Sequence, residues 1–429
     1  MLLPAYRAAD PARTYCAFNG AWAYLSSLAF TLSLVYQIKE VGLSPLQLVL
    51  VGTTLEVACF LFEIPTGIVA DLYSRRLSVI IGFVLIGAGL LLQGLVPTFL
   101  AVLAAQVLWG LGFTFTSGAD QAWITDEVGE DKIGRIFVRS QQISLGFRIA
   151  GIVSAGAIGL VSLSLPLRLS GVGMMLTALA LFVFMREQNF HPTPKAERET
   201  FRQMGETFKH GLAVARRRPV VRTLVLISLV SGLSSEVFDR LWSVKILSDF
   251  SFPDLLGTTD PAVWFAVFSL VGTLLALCGS LVVNKVSPER VNSLHPNGLL
   301  ALLSLFQLGG VVGFALAGYL WLALAAMWVG SIAGTIAYPV ESAWLNRNLD
   351  SKSRATVISM VSQANAIGQV AGGPPLGALA GSTSIRTALV ASGLILSPIP
   401  LLYLRLRPAP RNVVPAAETV YSVSTRRRS

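Results

Sequence analysis

Gly67-Ile-Val-Ala-Asp71-Leu-Tyr-Ser-Arg75-Arg76 is a short charged turn set between two long apolar runs, one centred near Val57 and the other near Gly87. An acid closes the first run and a basic pair opens the second, which is how a chain leaves one membrane-spanning helix and enters the next. A spanning helix needs about 20 mostly apolar residues. Runs of that kind recur outward from this turn, centred near Leu28, Val57, Gly87, Leu111, Val153 and Leu176 in the first half of the chain. In the second half they centre near Ser234, Gly272, Leu305, Gly330, Ala371 and Leu394, which predicts about twelve spans. The composition agrees: of 429 residues, 53% are hydrophobic and 13% charged, against about 25% charged in a soluble domain. So few charges cannot cover a water-facing surface, and the bilayer removes that need.

Lysine and arginine mark the cytoplasmic side of a membrane protein. With the N-terminus placed there, Lys39, Arg168 and Arg386 fall outside, while Arg148, Arg240 and Lys245 lie within apolar runs. Every other basic residue gathers on the cytoplasmic side, so both termini are predicted to be cytoplasmic in a multi-pass protein of the plasma or inner cell membrane. The first run, Tyr15 to Ile38, is too long for the apolar core of a cleaved signal and reads as the first span. The net charge of +10 follows from the same asymmetry. Arg216-Arg217-Arg218 and Arg426-Arg427-Arg428 are expected to face anionic inner-leaflet lipid, worth about 1 kcal/mol per basic residue, with no nucleic-acid partner. Cys16, Cys59 and Cys278 are odd in number and set in apolar runs. They read as small buried hydrophobes with neither disulfide nor metal spacing. No cofactor is expected.

The two halves echo each other. Asp120-Gln-Ala-Trp123-Ile-Thr-Asp126 is answered by Glu341-Ser-Ala-Trp344-Leu-Asn-Arg347, Arg135 and Ser140 by Arg354 and Ser359, and Arg148-Ile-Ala-Gly151 by Gln369-Val-Ala-Gly372. An internal repeat of this kind predicts two pseudo-symmetric six-helix bundles, an all-α membrane fold. The boundaries read as a first bundle over 1–185, a charged, proline-containing cytoplasmic linker over 186–220, a second bundle over 221–405 and a basic cytoplasmic tail over 406–429.

The turn at Gly67–Arg76 resembles motif A of the major facilitator superfamily, in which a glycine is followed four residues later by aspartate and then by a basic pair. A weaker second copy stands at Ser280-Leu-Val-Val-Asn284-Lys285, with Arg290 beyond it. By physical argument Gly67 allows a close helix approach, Asp71 accepts hydrogen bonds at a neighbouring helix N-terminus, and Arg75 and Arg76 anchor the turn and pair with acids such as Asp126. Such a charge cluster can latch one transporter state and release it in the other. More narrowly, the chain resembles bacterial drug-type efflux proteins. It departs from them at Gln106, where they carry arginine, and in the fifth run, where Gly151, Gly156 and Gly159 stand without a proline; a Gly372-Gly373-Pro374 sequence falls in the eleventh.

Charges inside a bilayer cost about 2.5–3.5 kcal/mol each on insertion scales, so they face the protein interior and pair or bind. Asp120 and Glu341 occupy equivalent places in the repeat, as do Arg148 and Gln369. Features kept in both halves point to architecture, and Asp120–Arg148 is read as a structural or gating pair. Unmatched charges are the better candidates for proton or substrate. Gly52, Glu56 and Glu63 form one stripe, and Glu56, the deeper acid, either carries a proton or is a hydrogen-bonded structural acid. Glu236, Asp239, Arg240 and Ser243 share one helical face, which either lines a cavity or holds a structural salt bridge. Lys245 is expected to snorkel toward the surface.

These readings converge on a secondary active transporter and not an enzyme. The leading expectation is proton-coupled efflux of a small amphipathic or drug-like molecule by alternating access, acting as a monomer and driven by the proton gradient. The alternatives are an uptake carrier for a nutrient or metabolite, and a non-transporting membrane sensor or scaffold.

Overall fold

The structure is a computed structural model that describes residues 10–192, 219–255, 257–285, 296–347 and 351–406. Its first half holds α1 (Pro11–Lys39), α2 (Pro45–Leu72), α3 (Arg75–Leu95), α4 (Phe99–Thr116), α5 (Ala119–Val128), α6 (Glu130–Gly159) and α7 (Leu165–Phe184). The second holds α8 (Pro219–Asp249), α9 (Pro261–Lys285), α10 (Pro296–Leu316), α11 (Leu320–Arg347), α12 (Ser351–Ser382), α13 (Ile385–Ile395) and α14 (Pro398–Arg405). Local chemistry sets the helix starts. Asp10 accepts from the Ala12 N–H ahead of Pro11, and Ser44 and Gln47 form a reciprocal capping box. Thr98, in the tight Val96-Pro97-Thr98 turn, accepts from Ala101. Two spans are broken. Gly118, at φ 76°, separates α4 from α5, and Leu396–Ser397 separates α13 from α14.

Among the described residues, 11 helices are long and apolar enough to cross a membrane, taking α4–α5 and α13–α14 as one span each. The twelfth predicted span, centred near Ala371, is α12. Its 32 residues are ample in length, but glycine, serine, asparagine and glutamine replace the expected aliphatics. The packing supplies the reason, because α12 lies against α8 and α2 inside the protein. The outer helices carry the lipid-facing belt instead, through residues such as Leu176 and Phe182 on α7, Leu305 and Phe306 on α10, and Leu404 on α14.

One core lies among α1, α3, α5 and α7, around Phe18, Phe83, Ile86, Trp123 and Met174. Another lies in the second half, around Leu224, Ile227, Leu300, Trp344 and Tyr403. The repeat shows itself in a matched pair of glycines. Gly151 of α6 abuts the α1 backbone at Tyr24 and Leu28, and Gly372 of α12 abuts the α8 backbone at Leu233. A third core joins the halves, with Leu32, Val49 and Ala155 meeting Val237, Leu241 and Phe265.

The contacts between halves lie toward the ends of the helices far from the termini. Gly52 of α2 meets Glu236 and Arg240, Gly377 of α12 meets Val49, and Gly156 and Gly159 of α6 meet Ala266 and Ala262. Toward the terminus-bearing face Glu63, Asp71, Arg148 and Tyr338 are exposed. The bundles therefore close on the far face and part toward the face bearing the termini. The linker reading falls largely on 193–218 and the tail reading on 407–429, both outside the described residues, as do Arg290 and the side chains of Asn284, Lys285, Arg347 and Arg354.

Candidate functional site

Gly52, Glu56, Glu63, Gly67 and Asp71 recur at helical spacing along α2. The stripe is engaged at one end and free at the other. A Cβ placed on Gly52 would overlap the Glu236 carboxylate and the Arg240 guanidinium, whereas one on Gly67 would meet nothing within 4 Å. Glu56 is half-buried, and Glu63 and Asp71 are exposed. The close helix approach expected at Gly67 is thus absent, and the approach occurs about four turns away at Gly52.

The acids expected to carry proton or substrate fall into two groups. Glu236 is 2% exposed and accepts from Arg240 Nε at 2.9 Å. Glu56 and Asp239 lie within electrostatic reach of that pair. One carboxylate thus pairs with the guanidinium where α2 crosses α8, and two more, Glu56 and Asp239, lie nearby without an ion pair among the described residues. Asp239 is exposed although its neighbours Glu236, Val237 and Leu241 are buried, so it faces an internal cavity. Glu63 stands apart on the open side. Lys245, expected to snorkel, is instead 1% exposed and donates to Asp249 at 2.7 Å, because an i,i+4 carboxylate at the helix end satisfies it in place. Cys16 is buried as expected, but Cys59 is half-buried and Cys278 exposed.

At the terminus-bearing face, Arg75 pairs with Asp126 and donates to the Ala122 carbonyl at 2.9 Å. Arg76 donates to the Phe182 carbonyl at 2.5 Å and lies over the Phe182 ring. Asp71 makes no hydrogen bond among the described residues. The helix-capping role expected of it belongs to Glu187, which accepts from Ser74 Oγ at 2.5 Å and from the Arg76 N–H at 3.0 Å, at the start of α3. Trp123 Nε1 donates to the Arg186 carbonyl at 2.8 Å, and Glu127 accepts from the Gln188 and Asn189 N–H groups. This network stitches the segment after α7 onto α3 and α5. Glu187→Ala is expected to lower stability by about 1–2 kcal/mol; a thermal melt of the purified protein that does not move would contradict the cap.

Asp120 and Arg148 do not pair. Asp120 sits at the start of α5, facing a cavity of about 230 Å³ with Asn19, Trp22 and Phe113, while Arg148 is exposed on α6. Its repeat partner Glu341 lines a separate cavity of about 490 Å³ in the second half, where Tyr403 approaches its carboxyl. Gln369 donates to Asn365 Oδ1 at 2.7 Å, and Asn365 donates to the Ser228 carbonyl at 3.2 Å. The repeat relates positions across the halves; it does not bring the related residues into contact. Gln106 is likewise committed, donating to Gln93 Oε1 at 3.1 Å while Gln93 donates to Ser33 at 3.0 Å.

Comparison with known proteins adds to this geometry. The sequence profile described as Major Facilitator Superfamily matches residues 15–318. An uncharacterized MFS-type transporter, YxaM, of Bacillus subtilis (strain 168) is 22% identical over 370 residues, covering 85% of this chain and 88% of the relative. Among solved structures, the nucleoside transporter NupG is similar in fold, with a TM-score of 0.74 and 13% identity over 93% of this chain and 100% of that one. A D-xylose-proton symporter matches with a TM-score of 0.65 and 15% identity, over 92% and 98% of the two chains.

Proposed function

Because the chain belongs to the Major Facilitator Superfamily and is a membrane transporter and not an enzyme, we propose that it couples proton entry to export of a small amphipathic solute. In this reading the terminus-bearing face is cytoplasmic, the protein acts as a monomer in the cell membrane, and its basic linker and tail rest on anionic lipid. The halves rock about the α2–α8–α12 contact, and the arrangement described above is the inward-open state. When the far face opens, the free end of the α2 stripe closes on the second half, and exposed Asp71 and open Gly67 become the latch.

The observation that carries the reading is the excess of carboxylates where the halves meet. Glu236 has Arg240 as its partner; Glu56 and Asp239 have no ion pair among the described residues. An unpaired carboxylate within a membrane protein is costly, so protons or a cation neutralise the surplus, and opening the contact to the far face changes which of them can exchange. Proteoliposomes carrying the purified protein test this, since candidate solutes must move with an imposed pH gradient. Glu56→Gln is expected to cut gradient-driven flux by about tenfold, equivalent to about 1.4 kcal/mol. Flux that keeps its pH dependence in that variant would remove Glu56 from the coupling step.

A second reading, uptake of a polar metabolite, is favoured by the cavity at Glu341. Ser228, Ser304, Gln307, Ser342 and Asn365 line it, a set of donors and acceptors suited to a hydroxyl-rich solute. The nucleoside transporter and the D-xylose symporter accord with that reading by their own named solutes. The direction of flux under an imposed gradient separates the two. A sensor or scaffold would show no solute protection of cysteines placed along α8.

A further inference from the structure

The cavity that Asp239 faces has a volume of about 460 Å³, within the range of small-molecule sites. Its walls come from α8, α9, α10 and α11, with Leu396 beyond α13, all of them in the second half. Four aromatic side chains, Phe238, Trp242, Phe268 and Trp328, share it with one carboxylate, five serines and Gln307. No lysine, arginine or histidine lines it among the described residues. Arg240, the adjacent base, is turned to Glu236 at 2.9 Å, so Asp239 has no ion pair among the described residues and is left for an occupant. The Trp328 indole N–H is buried without a hydrogen-bond partner among the described residues and sits beside Gly272 on the cavity wall.

A carboxylate within an aromatic enclosure attracts an organic cation twice, through charge and through the ring faces. An anion would meet the Asp239 carboxylate with no basic group to offset it. A polyol would find partners in the serines and Gln307 but would leave the aromatic walls unused and the carboxylate without a countercharge. We propose that this cavity binds an organic ammonium ion, with its charged nitrogen against Asp239 and its apolar body between Trp242, Phe268 and Trp328. The assignment rests on the transport reading above and names the chemical class of the solute. It also places the occupant one residue from the Glu236–Arg240 pair that closes the far face, so that filling the cavity is sensed where the halves meet.

The test is direct binding to the purified full-length protein in lipid nanodiscs at fixed pH with no gradient. Calorimetry compares phenyltrimethylammonium with its uncharged isostere tert-butylbenzene. The cation is expected to bind at least about tenfold more tightly than the isostere. Asp239→Asn is expected to lose about tenfold of that affinity while Asp239→Glu retains it. A cysteine placed at Ser331 is expected to be shielded from maleimide by the cation in a protein that keeps Asp239. Equal binding of the two probes, absence of binding, or unaltered binding in Asp239→Asn overturns the assignment. Gradient-driven flux that persists without ammonium binding would overturn the site and leave the transport reading standing. Ammonium binding in a protein that moves no solute would do the reverse.

Discussion

Gly52→Val is expected to reduce solute flux to background while the protein still inserts and purifies. Gly52 stands where α2 crosses α8, and even one added carbon would occupy space held by the Glu236 carboxylate and the Arg240 guanidinium. Those atoms are the ends of flexible side chains, but Glu236 is 2% exposed and tied to Arg240. Making room means displacing a buried ion pair, and an uncompensated buried charge costs about 3–5 kcal/mol. The less costly response is for the halves to stay apart on the far face, which traps the carrier with that side open. A cysteine at Val49, which is fully buried against Gly373 and Gly377, reports the change in a background lacking the native thiols. It should pass from unreactive to reactive toward an impermeant maleimide added from the far face. Native flux with an unreactive cysteine would show that the crossing does not need its glycine.

Gly372→Leu is expected to prevent the second bundle from assembling, and Gly151→Leu to do the same in the first. Here the obstructing atoms are main chain. A Cβ on Gly372 would lie 2.6 Å from Leu233 Cα and 2.8 Å from its carbonyl carbon. A Cβ on Gly151 would lie 3.2 Å from the Leu28 nitrogen, with the Tyr24 carbonyl closer still. A backbone cannot swing aside as a side chain does. The helices must separate along the crossing, so the loss should exceed the about 1–3 kcal/mol usual for overpacking. The monodisperse fraction in size-exclusion chromatography and the melting temperature both read it. Gly67→Leu, with nothing within 4 Å of its Cβ, serves as the control and should purify normally.

How far the sequence could be read follows from the range of each interaction. Apolar runs and turn residues are local signals, and they located the spans and the stripe on α2. The repeat carried further still, since Gly151 and Gly372 hold the same crossing in both halves. Long-range partners left no such mark. Glu187 lies far along the chain from Ser74 and Arg76, in a charged stretch that reads as linker, and only the packing of α7 beside α3 brings it to the α3 N-terminus. Asp120 and Arg148 were paired by symmetry, but helix rotation decides which neighbours meet, and it turns them apart. The Lys245–Asp249 pair was within reach, because its spacing of four residues is a helical contact that needs no tertiary knowledge.

The polar character of α12 bears on how the chain is made. A segment so rich in glycine, serine and amides gains little from partitioning into hydrocarbon by itself, and its prolines, Pro374 and Pro375, weaken it further as an independent helix. It must be received by protein surface already in place, chiefly α8 and α2. Biogenesis therefore has an order: the insertion machinery has to retain this penultimate segment until its hosts have docked, and the last span, α13–α14, closes the bundle behind it.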